Sequence, residues 1–475
     1  MEGIVKAKIG LSVSRDILAN IIEKNKRILS VREKLPANVP SSFKTQTRVL
    51  RLFRMIDKDN ATIGKSVGKL LLDNVIYEYK KIRKFPKFDL EGNLAPHQKV
   101  IVNYVTACKF ATGDMTGEVL LQLDTGLGKT RIGLGLIGKI GAVSAAIVPT
   151  KHIAQQWIDE MAQCAPQLKT CIYNNAKNQS TEDYDVLVIV INTARKKEPA
   201  FFENFAFVLI DEVHETTTKT NKNVLWNIAG CRFACGLTAT PELGHNGVLR
   251  FIEGHLGSTL YAKDIPGFDI NCKVFNVKVE IVNYIGHNDF LQPVINNGGT
   301  ISAICTIERI ISDPARLALT IEKISTLYDN GNNILVFAEH RKHLDSLHDI
   351  LKIKYKEDDL EIEVDVLRGG AKKETIDRAN TSRIILTTYG YSRRGISYSH
   401  LNALVLATPR RSGLRQILGR ILRFNSDEKI ERKVCDISDI GSVLRSQIHS
   451  RMAVYKERKY KIVYTQHRAE DSDDN

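Results

Sequence analysis

Leu123–Thr130 reads LDTGLGKT; it closes the apolar run Glu118–Leu123 (EVLLQL) and leads into the helical stretch Lys129–Lys139. A continuously apolar run of that length predicts a strand buried on both faces. The loop then lies between a strand end and a helix start. There, backbone N–H groups and a helix N-terminus converge on an anion. Gly126 and Gly128 permit close approach, while Asp124, Thr125 and Leu127 complete the loop. Lys129 can reach the β and γ phosphates, and the Thr130 hydroxyl can ligate Mg²⁺. Leu123 stands where the full pattern has glycine, so the match has one departure.

Gly133–Gly138 (GLGLIG) fits a dinucleotide-binding fingerprint as a string. That fingerprint must open its helix, and this one lies inside a helix already begun. We read its glycines as allowing close packing. Asp211–His214 (DEVH) ends another apolar run, Phe205–Ile210 (FAFVLI). A carboxylate there can hold Mg²⁺ (Asp211), and its neighbour can orient and deprotonate water (Glu212). Thr238–Thr240 (TAT) follows Ala234–Leu237. The hydroxyls of Thr238 and Thr240 could hydrogen-bond the acidic motif, with His214 linking the phosphate site to its neighbours.

The same rhythm of apolar runs and amphipathic stretches continues through 145–148 and 185–191. It returns at 334–337, 364–367, 383–387, 403–406 and 433–437. Strands alternating with helices predict an α/β fold: two units with parallel sheets. The second unit has no phosphate loop. It carries Gln416–Arg423 (QILGRILR), where a helix over Leu414–Arg423 puts Arg420 and Arg423 on one face. Guanidiniums so placed can stabilise phosphoryl transition-state charge from a neighbouring domain.

The chain has 475 residues with 43% hydrophobic and 26% charged, ordinary globular values. No apolar run reaches the ~18 residues of a membrane span. The start, MEGIVKAKIG, lacks a signal-peptide layout, and eight scattered cysteines suit a reducing, cytosol-like compartment. No membrane partner is expected. Residues 1–90 hold 20 Lys/Arg against 9 Asp/Glu, most of the net +14. With aromatics among the cations, as in Tyr77–Lys87 (YEYKKIRKFPK), this predicts a basic N-terminal domain that binds nucleic acid. The other boundaries are expected at 91–245 and 316–455 for the two α/β domains, with a connecting segment at 246–315 and a tail at 456–475.

Taken in order, these stretches resemble the superfamily 2 helicases of the DExH branch, from about Leu94 to Tyr455. LAPHQ (94–98) resembles the segment whose Gln contacts adenine, which implies Gln98. LDTGLGKT, VPT (148–150), DEVH, LTATP (237–241) and ILVFAEH (334–340) stand for motifs I to IV. Thr388–Ser397 (TYGYSRRGIS) and QILGRILR take the places of motifs V and VI. The resemblance implies two RecA-like domains with ATP between them and a nucleic-acid strand across their top. Thr150, Thr193, Thr388 and Arg393 would contact that strand, and Gly395 and Gln416 would couple the motifs. Ser397 replaces the acidic residue usual after Gly-Ile.

A narrower resemblance rests on YNNA (173–176), INTARKK (191–197), GHNDF (286–290), TYGYSRRGIS (388–397) and ATPRR (407–411). It points to the asfarvirus and poxvirus transcript-release helicases of large cytoplasmic DNA viruses, which are similar to XPB-type translocases. It implies an ATP- and Mg²⁺-dependent motor on DNA rather than RNA, acting in viral transcription. RNA polymerase or transcription factors would be its partners, and the viral factory of the host cytoplasm, or the virion, its location. An RNA helicase, an XPB-like repair translocase and an ATP-gated clamp without unwinding stay open as alternatives.

Overall fold

The computed structural model describes residues 5–7, 11–33, 48–71, 75–77, 80–88, 90, 92–110, 117–124, 126–174, 180–218, 220–239, 246–269, 276–357, 361–392, 398, 400–411, 413–422 and 430–469. The chain divides into two compact units, Met1–Cys272 and Lys273–Asn475. No described helix is long and apolar enough to cross a membrane.

The first unit begins with short strands and two helices: β1 (Val5–Ala7), β2 (Leu11–Ser14), α1 (Arg15–Leu29), β3 (Ser30–Glu33), β4 (Arg48–Arg51), β5 (Phe53–Met55), β6 (Asn60–Ile63), α2 (Lys65–Leu71) and β7 (Val75–Tyr77). Strands β2, β6 and β5 pair antiparallel. The main sheet follows, with β8 (Gly117–Gln122), β9 (Ser144–Val148), β10 (Thr170–Tyr173), β11 (Val186–Val190), β12 (Phe207–Ile210), β13 (Phe233–Thr238) and β14 (Thr259–Tyr261). Its order is β10-β11-β9-β12-β13-β8-β14, and every pairing among the described residues is parallel. Between the strands run α3 (Pro96–Val105), α4 (Lys129–Ile140), α5 (Lys151–Cys164), α6 (Ile191–Ala194), α7 (Pro199–Phe202), α8 (Asn223–Asn227) and α9 (Asn246–Leu256).

Because successive strand residues point to opposite faces, alternate side chains enter separate cores. Val119, Leu121, Ala146, Val148 and Leu209 join one core with Val102 of α3, Ile137 of α4 and Trp157 of α5. Leu120, Ala145, Ile147, Val208 and Ile210 join the other, with Phe251 and Leu256 of α9. That second core also contains Val13, Leu18, Leu29, Leu50, Leu52 and Ile63. The basic N-terminal segment therefore helps cover one face of the sheet. Lys65 is buried here: its ammonium lies 2.9 Å from Oε1 of Glu118 on β8 and donates to the Cys231 carbonyl. Arg83 donates to Asp185 and to the Tyr184 carbonyl, both at 2.7 Å, and Phe85 is buried. The basic-aromatic stretch thus spends part of its chemistry on the first sheet.

The second unit repeats the plan with β15 (Val277–Ile285), β16 (Ile334–Ala338), β17 (Val364–Leu367), β18 (Ile384–Thr388), β19 (Ala403–Leu406), β20 (Arg432–Asp439) and β21 (Lys461–Arg468). The order is β17-β18-β16-β19-β20-β15-β21, again all parallel among the described residues. Its helices are α10 (Asn288–Leu291), α11 (Ala303–Ile311), α12 (Pro314–Asp329), α13 (Arg341–Glu357), α14 (Lys373–Arg378), α15 (Tyr389–Ser392), α16 (Leu414–Leu418) and α17 (Gln447–Glu457). Arg316 of α12, wholly buried, grips Asp439 of β20 through two bonds of 2.6 and 3.0 Å and donates to the Ala407 carbonyl.

Three stretches differ from the expected layout. Residues 246–269 belong with the first sheet through α9 and β14, and β15 lies inside the second sheet, so 246–315 is not one connecting piece. Part of the expected tail is β21, which pairs along the length of β15. The helix over 414–423 is shorter: α16 stops at Leu418 with Gly419 as its cap, a residue poor at prolonging helices.

Candidate nucleotide-binding site

An all-parallel sheet puts every strand's carboxyl end at one edge. The loop after β8, the acidic motif after β12 and Thr238 at the end of β13 therefore meet there, although they are far apart in the chain. Thr150, which caps α5 by accepting the Ile153 N–H, and Thr193 on α6 follow the paired strands β9 and β11 at the same edge.

In the phosphate loop, Gly126 and Gly128 hold positive φ of 89° and 76°. A Cβ on Gly128 would come within 2.2 Å of Gln98 Nε2, so the loop is shaped around that side chain. Gln98 is buried on α3; its amide nitrogen donates to the Leu127 carbonyl at 2.9 Å and its oxygen accepts the Ala95 N–H at 3.0 Å. The amide expected to meet adenine braces the loop. Leu123 is buried, with its N–H on the Thr238 carbonyl at 2.8 Å. Asp124 accepts from Gln122, whose amide also reaches the Ala239 carbonyl; each contact is 3.2 Å. Lys129 and Thr130 are the first two residues of α4.

Lys129 donates to Oε1 of Glu212. The Glu212 backbone is left-handed, at φ 48° and ψ 52°. Asp211 is buried; its Oδ1 accepts the Glu212 N–H at 2.9 Å and its Oδ2 accepts the Trp157 indole N–H at 3.2 Å. Burial pushes the Asp211 carboxyl above the usual carboxylate range, opposed by the charge of Lys129. His214 Nδ1 lies 3.1 Å from Thr238 Oγ1 and 3.4 Å from Glu212 Oε2, which joins the acidic motif to β13.

The chemistry of this donor set fits a nucleotide with Mg²⁺. A glycine-shaped loop opens a three-turn helix beside an ammonium, and hard oxygens stand on Thr130 and Asp211. Thr125 and Thr240 lie outside the described residues.

In the second unit, Thr388 ends β18 and its hydroxyl accepts the Tyr391 N–H at 3.2 Å. Gln416 is on α16, and Arg420 lies in the turn beyond it, its N–H on the Ile417 carbonyl at 3.0 Å. Arg393, Gly395 and Arg423 lie outside the described residues. At the same sheet edge Glu339 pairs with Arg410 at 2.9 Å, and that guanidinium stands over Tyr389.

Two bracing contacts carry no local signal in the sequence, the Gln122 amide on the Ala239 carbonyl and the Trp157 indole on Asp211, because in each the partner is distant along the chain.

Residues 91–243 match the family described as "Type III restriction enzyme, res subunit". The chain is 38% identical over 399 residues to "Putative ATP-dependent RNA helicase QP509L" of African swine fever virus, covering 80% of this chain and 74% of that protein. A protein of the same designation, L396 of Acanthamoeba polyphaga mimivirus, is 24% identical over 78% of this chain and 69% of its own length. Among solved structures, yeast Dbp5 bound to RNA and ADP BeF3 superposes with a TM-score of 0.51 at 13% identity. It covers 80% of this chain and 95% of that one, and it shares the two RecA-like α/β domains.

Proposed function

We propose, since this chain belongs to the superfamily 2 helicases and to the group containing QP509L of African swine fever virus, that it is an ATP-driven translocase on DNA acting in viral transcription. Membership makes it an ATP-dependent helicase; substrate and setting are our reading. One observation supports the ATP-driven part of the reading: phosphate loop, acidic motif and Thr238 share one sheet edge, with His214 bridging the last two.

In this assignment the α4 N-terminus and Lys129 bind the triphosphate, and Thr130 and Asp211 would hold Mg²⁺. The metal, when bound, neutralises charge on the phosphate oxygens. Glu212 takes a proton from the attacking water. Arg420 and Arg423 serve as the guanidiniums of the second unit. His214, Thr238, Thr240, Gly395 and Gln416 transmit nucleotide state to Thr150, Thr193, Thr388 and Arg393, which hold the backbone of the strand. Such contacts position a strand without reading its sequence. The excess cations of residues 1–90 add grip on the polyanion. RNA polymerase or transcription factors in the viral factory are the proposed partners.

A second reading, an RNA helicase, is favoured by the names of the viral relatives. Steady-state ATP hydrolysis separates the two, measured without nucleic acid and with single-stranded DNA, duplex DNA or RNA. Stimulation by DNA and not RNA, lost in Glu212→Gln, supports the translocase. Equal or greater stimulation by RNA selects the second reading. No stimulation by any of them leaves an ATP-gated clamp as the better account.

A further inference from the structure

Trp157 sits in the middle of α5, wholly buried with Ala154 and Met161 in the core under the phosphate-loop helix. Packing alone would explain a large ring there, but two observations go further. Its Nε1–H donates to Oδ2 of Asp211 at 3.2 Å, while the other oxygen takes the Glu212 N–H at 2.9 Å. Both oxygens of the carboxylate are thereby oriented. The second observation is how tightly the ring is seated. A Cβ on Gly133 would lie 2.7 Å from Cη2 of Trp157 and 2.8 Å from Cδ1 of Leu209. Gly133 is four residues along α4 from Lys129, and Leu209 is two residues before Asp211 on the way out of β12. The indole is therefore wedged between the helix that carries Thr130 and the strand that leads to Asp211.

We propose that Trp157 is a positioning residue for the metal site. Its N–H fixes which lone pairs of Asp211 face a cation, and its ring sets the spacing between α4 and β12. Tryptophan suits the task because indole is a donor only, does not titrate, and is rigid about two torsions. A hydroxyl in its place could rotate and accept instead. The inclusion of glycine at 133, inside a helix where it costs stability, is explained by the room the ring needs. The proposal rests on Asp211 and Thr130 being the Mg²⁺ ligands. Loss of an outer partner to a ligating group typically weakens metal binding about 10- to 100-fold.

The test uses the full chain, with Mn²⁺ as the probe. Mn²⁺ is titrated calorimetrically into ADP-saturated wild type, Trp157→Phe, Gly133→Ala and Asp211→Asn, against a protein-free ADP blank. Trp157→Phe should bind Mn²⁺ about ten-fold more weakly, with metal-free mant-ADP affinity and circular dichroism unchanged. Its kcat should fall while KM for ATP at saturating Mg²⁺ holds. Gly133→Ala should shift Mn²⁺ affinity in the same direction. Wild-type Mn²⁺ affinity in a folded Trp157→Phe overturns the proposal. Wild-type affinity in Asp211→Asn means instead that the metal-site reading itself is wrong. A further measurement does not depend on the Phe variant folding. The chain has two tryptophans, so Trp226→Phe leaves Trp157 as the sole indole emitter. Bound Mn²⁺ should quench that emission at short range, and undiminished emission at saturation overturns the metal-site reading and the proposal that rests on it.

Discussion

The ammonium of Lys129 donates to the carboxylate of Glu212, so the phosphate-loop cation and the proposed water-activating base hold each other. Glu212 does so from a left-handed backbone, and among the described residues only Lys459 is the other non-glycine at positive φ. A conformation of that kind costs roughly 1–3 kcal/mol and persists where surrounding structure enforces it. Here the enforcing contacts are Lys129, the Asp211 carboxylate on the Glu212 N–H, and His214.

An incoming phosphate must compete with Glu212 for Lys129. Glu212→Gln weakens that competition and removes the base. We expect tighter ATP binding by a few-fold, with kcat lowered by about 10²–10⁴. Equilibrium binding of a fluorescent ATP analogue and single-turnover hydrolysis would read the two effects separately. Lys129→Ala should abolish hydrolysis in a chain that still folds, and near-normal turnover in that variant would count against the assignment.

His214 and Thr238 form a contact of 3.1 Å between the acidic motif and β13. Thr238→Val removes the hydroxyl and keeps the shape. Basal ATP hydrolysis should stay within about three-fold of wild type, whereas the stimulation by nucleic acid falls about ten-fold, the scale of a 1.4 kcal/mol coupling. A rate-against-DNA-concentration series checks it. Equal loss of basal and stimulated rates would mean the contact serves hydrolysis itself.

Lys65 and Glu118 are nearly fully buried and 2.9 Å apart. Removing one charge from a buried pair is strongly destabilising, whereas replacing both with apolar groups of similar volume is often tolerated. Lys65→Met should therefore cost about 3 kcal/mol or more, and Lys65→Met with Glu118→Leu should recover most of it. Denaturant unfolding of the three variants would decide. A double variant no better than the single one would show that the carbonyl contacts of Lys65, not its charge partner, matter more.

His255 packs edge-on to Trp226 and Phe251, with ring centroids 4.3 and 5.0 Å away, and burial pushes its pKa down to about 3, with Arg54 adding to the effect. His343 is likewise pushed down to about 3 by burial, then by Arg316 and His340. An unfolded histidine titrates near ~6.5, so between there and about pH 3 the unfolded chain binds protons that the folded chain refuses. Stability is thus complete above ~6.5 and lost as pH falls, about 1.4 kcal/mol per histidine by roughly pH 5.5. Thermal melts at about pH 7.5 and 5.5 should diverge less in His255→Leu than in wild type. An unchanged difference would mean that other groups govern the acid limb.

Much of the architecture was legible locally. Continuous apolar runs such as Val186–Val190 announced strands buried on both faces, and each run expected in the first α/β domain contains or overlaps a strand of the first sheet. LDTGLGKT and DEVH were readable as strand-end segments because an apolar run stops at each. Helix ends were less readable: nothing short of the cap at Gly419 shows that α16 stops before Arg420. The N-terminal segment was harder still. Its charge dominates its composition, while its apolar residues are scattered among short elements whose shared core appears only when α9 is placed beside them.

By itself, the sequence determined two things: the period of burial along each strand, and the residue types at each strand end. Both follow from local covalent geometry, since alternation and turn chemistry act over a few residues. Tertiary structure alone decided which strand ends meet. Parallel pairing carries Asp211 to the same edge as Lys129, brings His214 to Thr238, and lays Trp157 between Gly133 and Asp211. Those contacts depend on strand order, which is set by how two whole faces of the sheet bury their apolar layers. No single stretch of chain contains that information.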